Sequence, residues 1–376
     1  MRCASTATIL IGTLLACSSA TEAVEPTPAA EAAFRSEAIT SLDEPWAMTF
    51  LPDGRLLVTE KAGTLRVITA DGAQGEPLQG VPDVAYAGQG GLGDVVLHPN
   101  FSSNNFIYVS YIEDGEGRTR GAVVIRARLE LWGSGGRLVD PARIWEQVPK
   151  VTGAGHYGHR MAFSPDGHLF ISSGERQKFD PAQDMAGNLG KIVRLNDDGT
   201  VPEDNPFYSR GGVAAQVWSL GHRNPLGLAF DAQGQLWNTE MGPRGGDELN
   251  RVVRGQNYGY PTVSNGDHYS GAEIPDHDTR PEFAAPAMWW NPVISPAGLI
   301  IYNGELFPEW RGNAFSGGLS SQALVRIELR ADGSAVERQR FSMGRRIREV
   351  EEGPDGAIWI LEDGAGGRLL KLVREQ

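Results

Sequence analysis

Cysteine is almost absent. The chain of 376 residues has two, Cys3 and Cys17, both near its start. The rest of the chain can therefore build neither a disulfide framework nor a thiolate metal site. Positive charge is also short. Lys and Arg number 34 against 47 Asp and Glu, for a formal charge of −13. Such a chain lacks the basic footprint of a nucleic-acid binder, and no nucleic-acid partner is expected. Histidine numbers only seven, and no Cys or His-rich ligand set for zinc, copper or haem is present. No apolar run is long enough to span a bilayer. No long helix is evident, and no βαβ unit carries a dinucleotide fingerprint. What is plentiful is Gly, 48 residues, and Pro, 23. Together they favour many tight turns and an all-β fold.

The start of the chain reads as a targeting segment. Met1-Arg2 precedes a short apolar run, Ile9 to Ala16, so residues 1–16 are expected to be a signal peptide. Leu14-Leu15-Ala16-Cys17 resembles a bacterial lipobox, which implies cleavage before Cys17 and lipid on its sulfur. Ser18 and Ser19 follow with no acid, the pattern of a lipoprotein on the periplasmic side of the outer membrane. The plainer reading is a secretory signal that happens to contain a Cys. Residues 17–37, rich in Ala, Glu, Pro and Thr, read as a flexible tether. The folded domain is then 38–376, touching the membrane only through its lipid.

One phrase recurs along that domain. Phe50-Leu-Pro-Asp-Gly54 leads into an alternating apolar strand, and Phe163-Ser-Pro-Asp-Gly167, Phe230-Asp-Ala-Gln-Gly234 and Glu352-Gly-Pro-Asp-Gly356 repeat it. Looser copies begin near Leu97 and Tyr302. Six hairpin phrases spaced by about 47–72 residues predict a six-bladed β-propeller, since each unit must stack on neighbours to bury its faces. An all-β sandwich with degenerate turns is the alternative. Surplus length falls in 174–188, 198–212 and 257–286, loops expected to gather around the channel on one face.

Four clusters carry chemistry. Gly155-His156-Tyr157-Gly158-His159-Arg160 places imidazoles directly before the third phrase. His156 can serve as a base near neutral pH, or simply hydrogen-bond its loop. Gly221-His222-Arg223-Asn224-Pro225 precedes the fourth phrase and offers donors for anionic or carbonyl oxygens. The alternative is an Arg bracing adjacent blades. Arg346 and Arg348 alternate on a strand, so they share a face and suit an anion between them. Finally, Glu240-Met241-Gly242-Pro243-Arg244-Gly245-Gly246-Asp247-Glu248 breaks a strand and frees carbonyl oxygens of the kind a hard cation such as Ca²⁺ takes.

As an ordered set, these motifs, with Gly88-Gln89-Gly90-Gly91-Leu92-Gly93 and Asn257-Tyr258-Gly259-Tyr260-Pro261, resemble the soluble aldose sugar dehydrogenases that depend on pyrroloquinoline quinone (PQQ), relatives of soluble glucose dehydrogenase. The resemblance runs from about Leu42 to Val373. It implies oxidation of an aldose at C1 to the lactone, with PQQ and Ca²⁺ as cofactors and a separate redox acceptor for the electrons. By the same resemblance His156 is the general base, Arg223 polarises the quinone with Asn224 beside it, and Gln89, Arg346 and Arg348 hold the cofactor. The carbonyls of Gly242 and Pro243 would bind the catalytic calcium, and Glu248 with the carbonyl of Tyr258 a structural one. A monomer is favoured.

The chain departs from the pattern in places. Ser320 stands about where relatives often carry a cofactor-contacting Lys, leaving Arg244 as a candidate substitute. Gly155 precedes His156 where the glucose enzyme has an acid, so a carboxylate to orient the imidazole must come from Asp184 or another loop acid. Trp289-Trp290 reads equally as a stacking wall for a sugar or as core. Two other readings of the whole stand beside this one: a calcium-dependent lactonase propeller and a non-catalytic binding propeller. Arg223, Arg346 and Arg348 argue against the first, and the presence of His156 against the second.

Overall fold

A computed structural model describes Met1, Ala23–Val24 and residues 34–375. Cys17 and the segment read as a signal peptide lie outside the described residues, Met1 excepted. Among the described residues no helix is long and apolar enough to cross a membrane.

The recurring phrase is a hairpin in each blade where it was read. In blade 1 Pro45–Phe50 pairs with Leu56–Glu60, and Phe50 faces Leu56. Its turn closes with Gly54 N–H donating to Leu51 O at 2.9 Å, at a φ of +84° that favours glycine. Gly167, Gly234 and Gly356 close the same turn at φ values of 87°, 76° and 75°. The strand after each turn, for example Leu56–Glu60, Leu169–Ser173 and Ile358–Glu362, is buried at every residue. Both its faces are covered by neighbouring blades, so it reads as continuous rather than alternating.

Six blade sheets result, one per phrase, built of antiparallel neighbours, with a small two-stranded sheet of Arg244–Gly245 and Gly266–Asp267 beside them. Their innermost strands are Pro45–Phe50, Leu92–Leu97, Gly158–Phe163, Pro225–Phe230, Pro296–Ile301 and Ile347–Glu352. Each packs on the next, and the sixth packs on the first, so the sheets form a closed six-bladed β-propeller. Closure is not local in sequence. Blade 6 takes its outermost strand, Phe34–Asp43, from the start of the chain, paired antiparallel with Ala365–Arg374. This strand begins inside the segment read as tether. Its anchor is Phe34, buried against Trp310 and Phe341 at ring separations of 6.2 and 5.1 Å. A two-residue strand, Ala23–Val24, also pairs in parallel with Trp289–Trp290.

Strand alternation sorts the long loops. Residues 174–188 connect the second and third strands of blade 3 and lie at the end where the innermost strands begin. Residues 198–212 connect the third and fourth strands and return to the opposite end. There Arg194 binds Asp204 at 2.8 Å and contacts His168 of the third hairpin turn at 3.1 Å. The expectation that all the surplus gathers on one face fails for this loop. Trp290 is also settled as core: it is fully buried, and its Nε1–H donates to Glu337 at 2.7 Å.

Candidate active site

A cavity of about 320 Å³ lies where the six innermost strands begin, and residues of all six blades line it. Trp46 and His159 stack at 4.7 Å, with Leu226 and Leu319 on the same lining. Lys61, Gln89, Asn224, Arg346 and Arg348 supply polar groups. Below, Arg160 ties the blades together. Its guanidinium lies 4.0 Å from the Trp46 ring, pairs with Asp94 at 3.4 Å and with Glu349, and donates to Leu226 O at 3.0 Å and Arg348 O at 3.3 Å.

His159 belongs to this scaffold. Ser110 Oγ donates to His159 O at 2.9 Å and accepts from Asp94 N at 2.7 Å. Its 2.8 Å contact with His159 Nδ1 is therefore a bond donated by the imidazole. Burial and the nearby Arg160 push the His159 pKa down to about 3, so the ring stays neutral. A side chain at Gly93 would meet this ring at 1.9 Å, which accounts for the glycine there.

His156 is placed differently. It precedes the cavity-lining Tyr157 and Gly158 with φ +50°, and Gln89 Oε1 accepts its backbone N–H at 2.7 Å. Its Nδ1 lies 2.5 Å from Oε1 of Glu175, which is wholly buried. The other carboxylate oxygen accepts N–H from Lys178 at 2.5 Å and Phe179 at 2.7 Å. Burial would raise the Glu175 pKa, but the bond from His156, the Phe179 amide and the nearby Arg223 hold it below the usual carboxylate value. Glu175 is thus an acceptor, His156 Nδ1 carries the proton, and Nε2 is the basic nitrogen. Burial, aided by Arg223, lowers the His156 pKa despite Glu175. Asp184 does not fill this role: it is exposed and caps Ala186 N at 2.9 Å.

The orienting acid has a signal in the repeat. A Glu ends the second strand of blades 1, 4 and 6, as Glu60, Glu240 and Glu362, and each binds groups of the same rim. Glu175 is the displaced counterpart in blade 3, two residues past the strand end Ser173. The turn after it is strained, with Arg176, Gln177 and Phe179 all at positive φ. Arg176 holds it by donating to Gly155 O at 2.9 Å and Gly153 O at 2.7 Å.

Arg223 is buried and close enough to His156 to act on it electrostatically. Its Nη1 donates to Met241 O at 2.9 Å and Gly242 O at 2.5 Å. Its Nε is buried with no hydrogen-bond partner among the described residues, a donor that asks for a ligand oxygen. Tyr260 and Tyr269 lie 5.9 and 5.8 Å from the guanidinium. Asn224 lines the cavity, and its Oδ1 accepts Gly158 N–H at 3.2 Å. Arg346 and Arg348 share Asp363, at 2.7 and 2.8 Å. A flat, polyanionic ring system matches the cavity's aromatic floor and paired arginines; His156 and Arg223 are not among its lining residues but adjoin Tyr157 and Asn224, which are.

The cation positions divide. Asp247 secures the Gly242–Pro243 turn, accepting Gly242 N–H at 2.9 Å on one oxygen and the N–H groups of Ile294 and Ser295 at 2.9 and 2.6 Å on the other. The Gly242 carbonyl thereby faces Arg223, and a cation there would share it with the guanidinium. Glu248 is buried in blade 4, where burial and then Glu240 push its pKa well up, and it gains a hydrogen bond from Asn250 at 3.1 Å. The Oδ1 atoms of Asn238 and Asn250 are buried there without donors among the described residues. This oxygen set suits a hard cation. The Tyr258 carbonyl, however, faces His277 Nε2 at 3.2 Å. Among the described residues no group of three or more His, Cys, Asp or Glu could hold a metal, so any such cation rests largely on carbonyl and amide oxygens.

Comparison with known proteins agrees with the geometry. The family described as glucose/sorbosone dehydrogenase matches residues 42–371. Aldose sugar dehydrogenase YliI of Escherichia coli is 39% identical over 338 residues, covering 88% of this chain and 90% of its own. The crystal structure of the soluble aldose sugar dehydrogenase from Escherichia coli in the apo-form superposes with a TM-score of 0.85 at 38% identity, covering 91% of this chain and all of that one. The PQQ-bound form of an aldose sugar dehydrogenase from Streptomyces coelicolor gives 0.74 at 28% identity, covering 93% and 99%. Fold and sequence agree, and the chain belongs to the glucose/sorbosone dehydrogenase family of oxidoreductases.

Proposed function

We propose that this protein oxidises aldose sugars at C1 to the lactone, using PQQ and Ca²⁺. The observation that carries the reading is the Glu175-bound His156, within electrostatic reach of Arg223 and tied through Gln89 to an axial cavity lined by Lys61, Arg346 and Arg348. When bound, the quinone accepts hydride and the calcium polarises it as a Lewis acid. The chain supplies the rest. His156 Nε2 takes the proton from the C1 hydroxyl, and Glu175 holds the imidazole in the tautomer that leaves this nitrogen basic. Arg223 directs its unpartnered Nε–H at the oxygen on which charge develops. Gln89 fixes the His156 backbone, and Asn224, Arg346 and Arg348 face the cofactor. Gly242 and Pro243 would present carbonyls to the catalytic calcium. Glu248, together with the Tyr258 carbonyl, would hold a structural one.

Reconstitution tests this. Apoprotein mixed with PQQ and Ca²⁺, then given glucose or other aldoses and a redox dye, should reduce the dye. EGTA should abolish the activity and added Ca²⁺ should restore it. Absence of PQQ binding, with no dye reduction on any aldose, overturns the reading.

The N-terminal segment completes the proposal. The domain is exported and held by lipid on Cys17 at the periplasmic side of the outer membrane, where it passes electrons to a redox acceptor. Cys17→Ser should move the protein from the membrane to the soluble fraction, and continued membrane association of that variant would refute the anchor.

A further inference from the structure

The Gly88-Gln89-Gly90-Gly91 motif encloses a side chain that no sequence motif singled out. Lys61 follows the second strand of blade 1, and its backbone is pinned at both ends. Its N–H donates to Glu44 O at 3.0 Å, and its carbonyl accepts Leu92 N–H at 2.9 Å. A Cβ on Gly91 would meet that carbonyl at 2.1 Å, so the glycine lets blade 2 close over Lys61. Nζ then reaches the motif from the other side, donating to Gly88 O at 3.2 Å. Its acidic neighbour, Glu44, stands off at 3.6 Å and is also engaged by the Tyr86 hydroxyl. An ammonium has three N–H donors. One bond at 3.2 Å, the loose contact with Glu44 and the Tyr86 ring at 5.5 Å leave N–H capacity toward the cavity, which Lys61 lines together with Gln89, Arg346 and Arg348. The side chain is only 15% exposed, so its charge is weakly screened.

We propose that Lys61 is a cofactor-binding residue, the third cation on the carboxylates of the bound quinone, set beside Arg346 and Arg348. This rests on the PQQ reading above. The chemistry is that of a tricarboxylate. Arg346 and Arg348 divide one counterion, Asp363, between them, and Lys61 supplies a further cation from blade 1. The position occupied by Ser320 does not do so: the residue is exposed, and its hydroxyl donates to Val293 O at 3.3 Å. Nor does Arg244, which is exposed and absent from the cavity lining.

Binding of PQQ to the apoprotein, followed by quenching of tryptophan fluorescence at low and moderate salt, reads this without turnover. Lys61→Gln should weaken binding by about 10- to 100-fold, the scale of one charge-assisted bond, and flatten the salt dependence. Lys61→Arg should recover part of the loss. If K61Q does not fold, Glu44→Gln reads the same electrostatics, and it should tighten binding several-fold. Wild-type binding with K61Q equally tight overturns the role of Lys61, as does an unchanged E44Q. A wild-type apoprotein that does not take up PQQ overturns the cofactor reading instead.

Discussion

Replacing His156 with Gln is expected to lower kcat by roughly 10²–10⁴-fold, the usual scale for a general base, while the apoprotein still binds PQQ. Gln has no basic nitrogen, so proton removal from the sugar passes to water. Its amide is still long enough to hydrogen-bond Glu175, so the loop keeps its shape. A single-turnover measurement with preloaded cofactor separates the two effects. Loss of binding with an intact chemical step would assign His156 to the cofactor instead, and unchanged turnover would remove it from the mechanism. Glu175 governs the same step through the imidazole. Because burial and Arg223 hold the His156 pKa below its ordinary value, the base is already deprotonated at neutral pH. The acidic limb of kcat/KM should therefore fall below pH 6.5, the ordinary histidine value. Glu175 raises the His156 pKa. Glu175→Gln thus moves that limb to lower pH as well as reducing kcat, a shift that a merely structural role would not produce.

Replacing Arg160 with Met is expected to cost about 3–5 kcal/mol, because it leaves buried carboxylates without their cation. For a domain of this size, with an unfolding entropy of about 2.1 cal/mol/K per residue, that lowers Tm by roughly 4–7 °C. Arg160, Asp94 and Glu349 have side chains only 5%, 7% and 8% exposed. The guanidinium also satisfies carbonyls from blades 4 and 6 and covers the Trp46 ring. Its loss therefore unties four blades at the axis in addition to breaking a pair. Arg137→Met is the control. That residue pairs with Glu130 at 2.7 Å, but the two side chains are 53% and 39% exposed, and exposed pairs contribute at most about 1 kcal/mol. Differential scanning calorimetry of both variants decides the matter. Equal shifts would mean that the axial network adds nothing beyond an ordinary surface pair.

Most of the architecture could be read in advance because each blade announces itself locally. The Pro-Asp-Gly turns lie within a few residues of the strands they join, and their glycines close at positive φ. The clusters around His156, Arg223 and Arg346 could be placed at one end of the axis because each directly precedes an innermost strand. Glu175 escaped because its partner is 19 residues away across a hairpin and its own blade shifts it past the strand end. Lys61 escaped for a related reason. A Lys after a strand resembles any surface cation until blade 2 closes over it. Phe34 reads as tether because the residues before it are mostly Ala, Glu and Pro, and its value as a strand residue comes from Trp310 and Phe341, far along the chain.

The sequence by itself determined the repeat, the number of blades, the end of the axis where chemistry collects, and the residue types gathered there. These depend on short-range patterns: a turn that needs glycine, an apolar strand after it, a polar cluster before it. Only the tertiary structure decided which groups meet. It set Glu175 against His156, left the Nε of Arg223 without a partner, used His159 and Arg160 as scaffold, brought Lys61 to the cavity and sent residues 198–212 to the opposite face. Each of these outcomes depends on how strands from different blades register at the axis, and that register is fixed by closure of the ring.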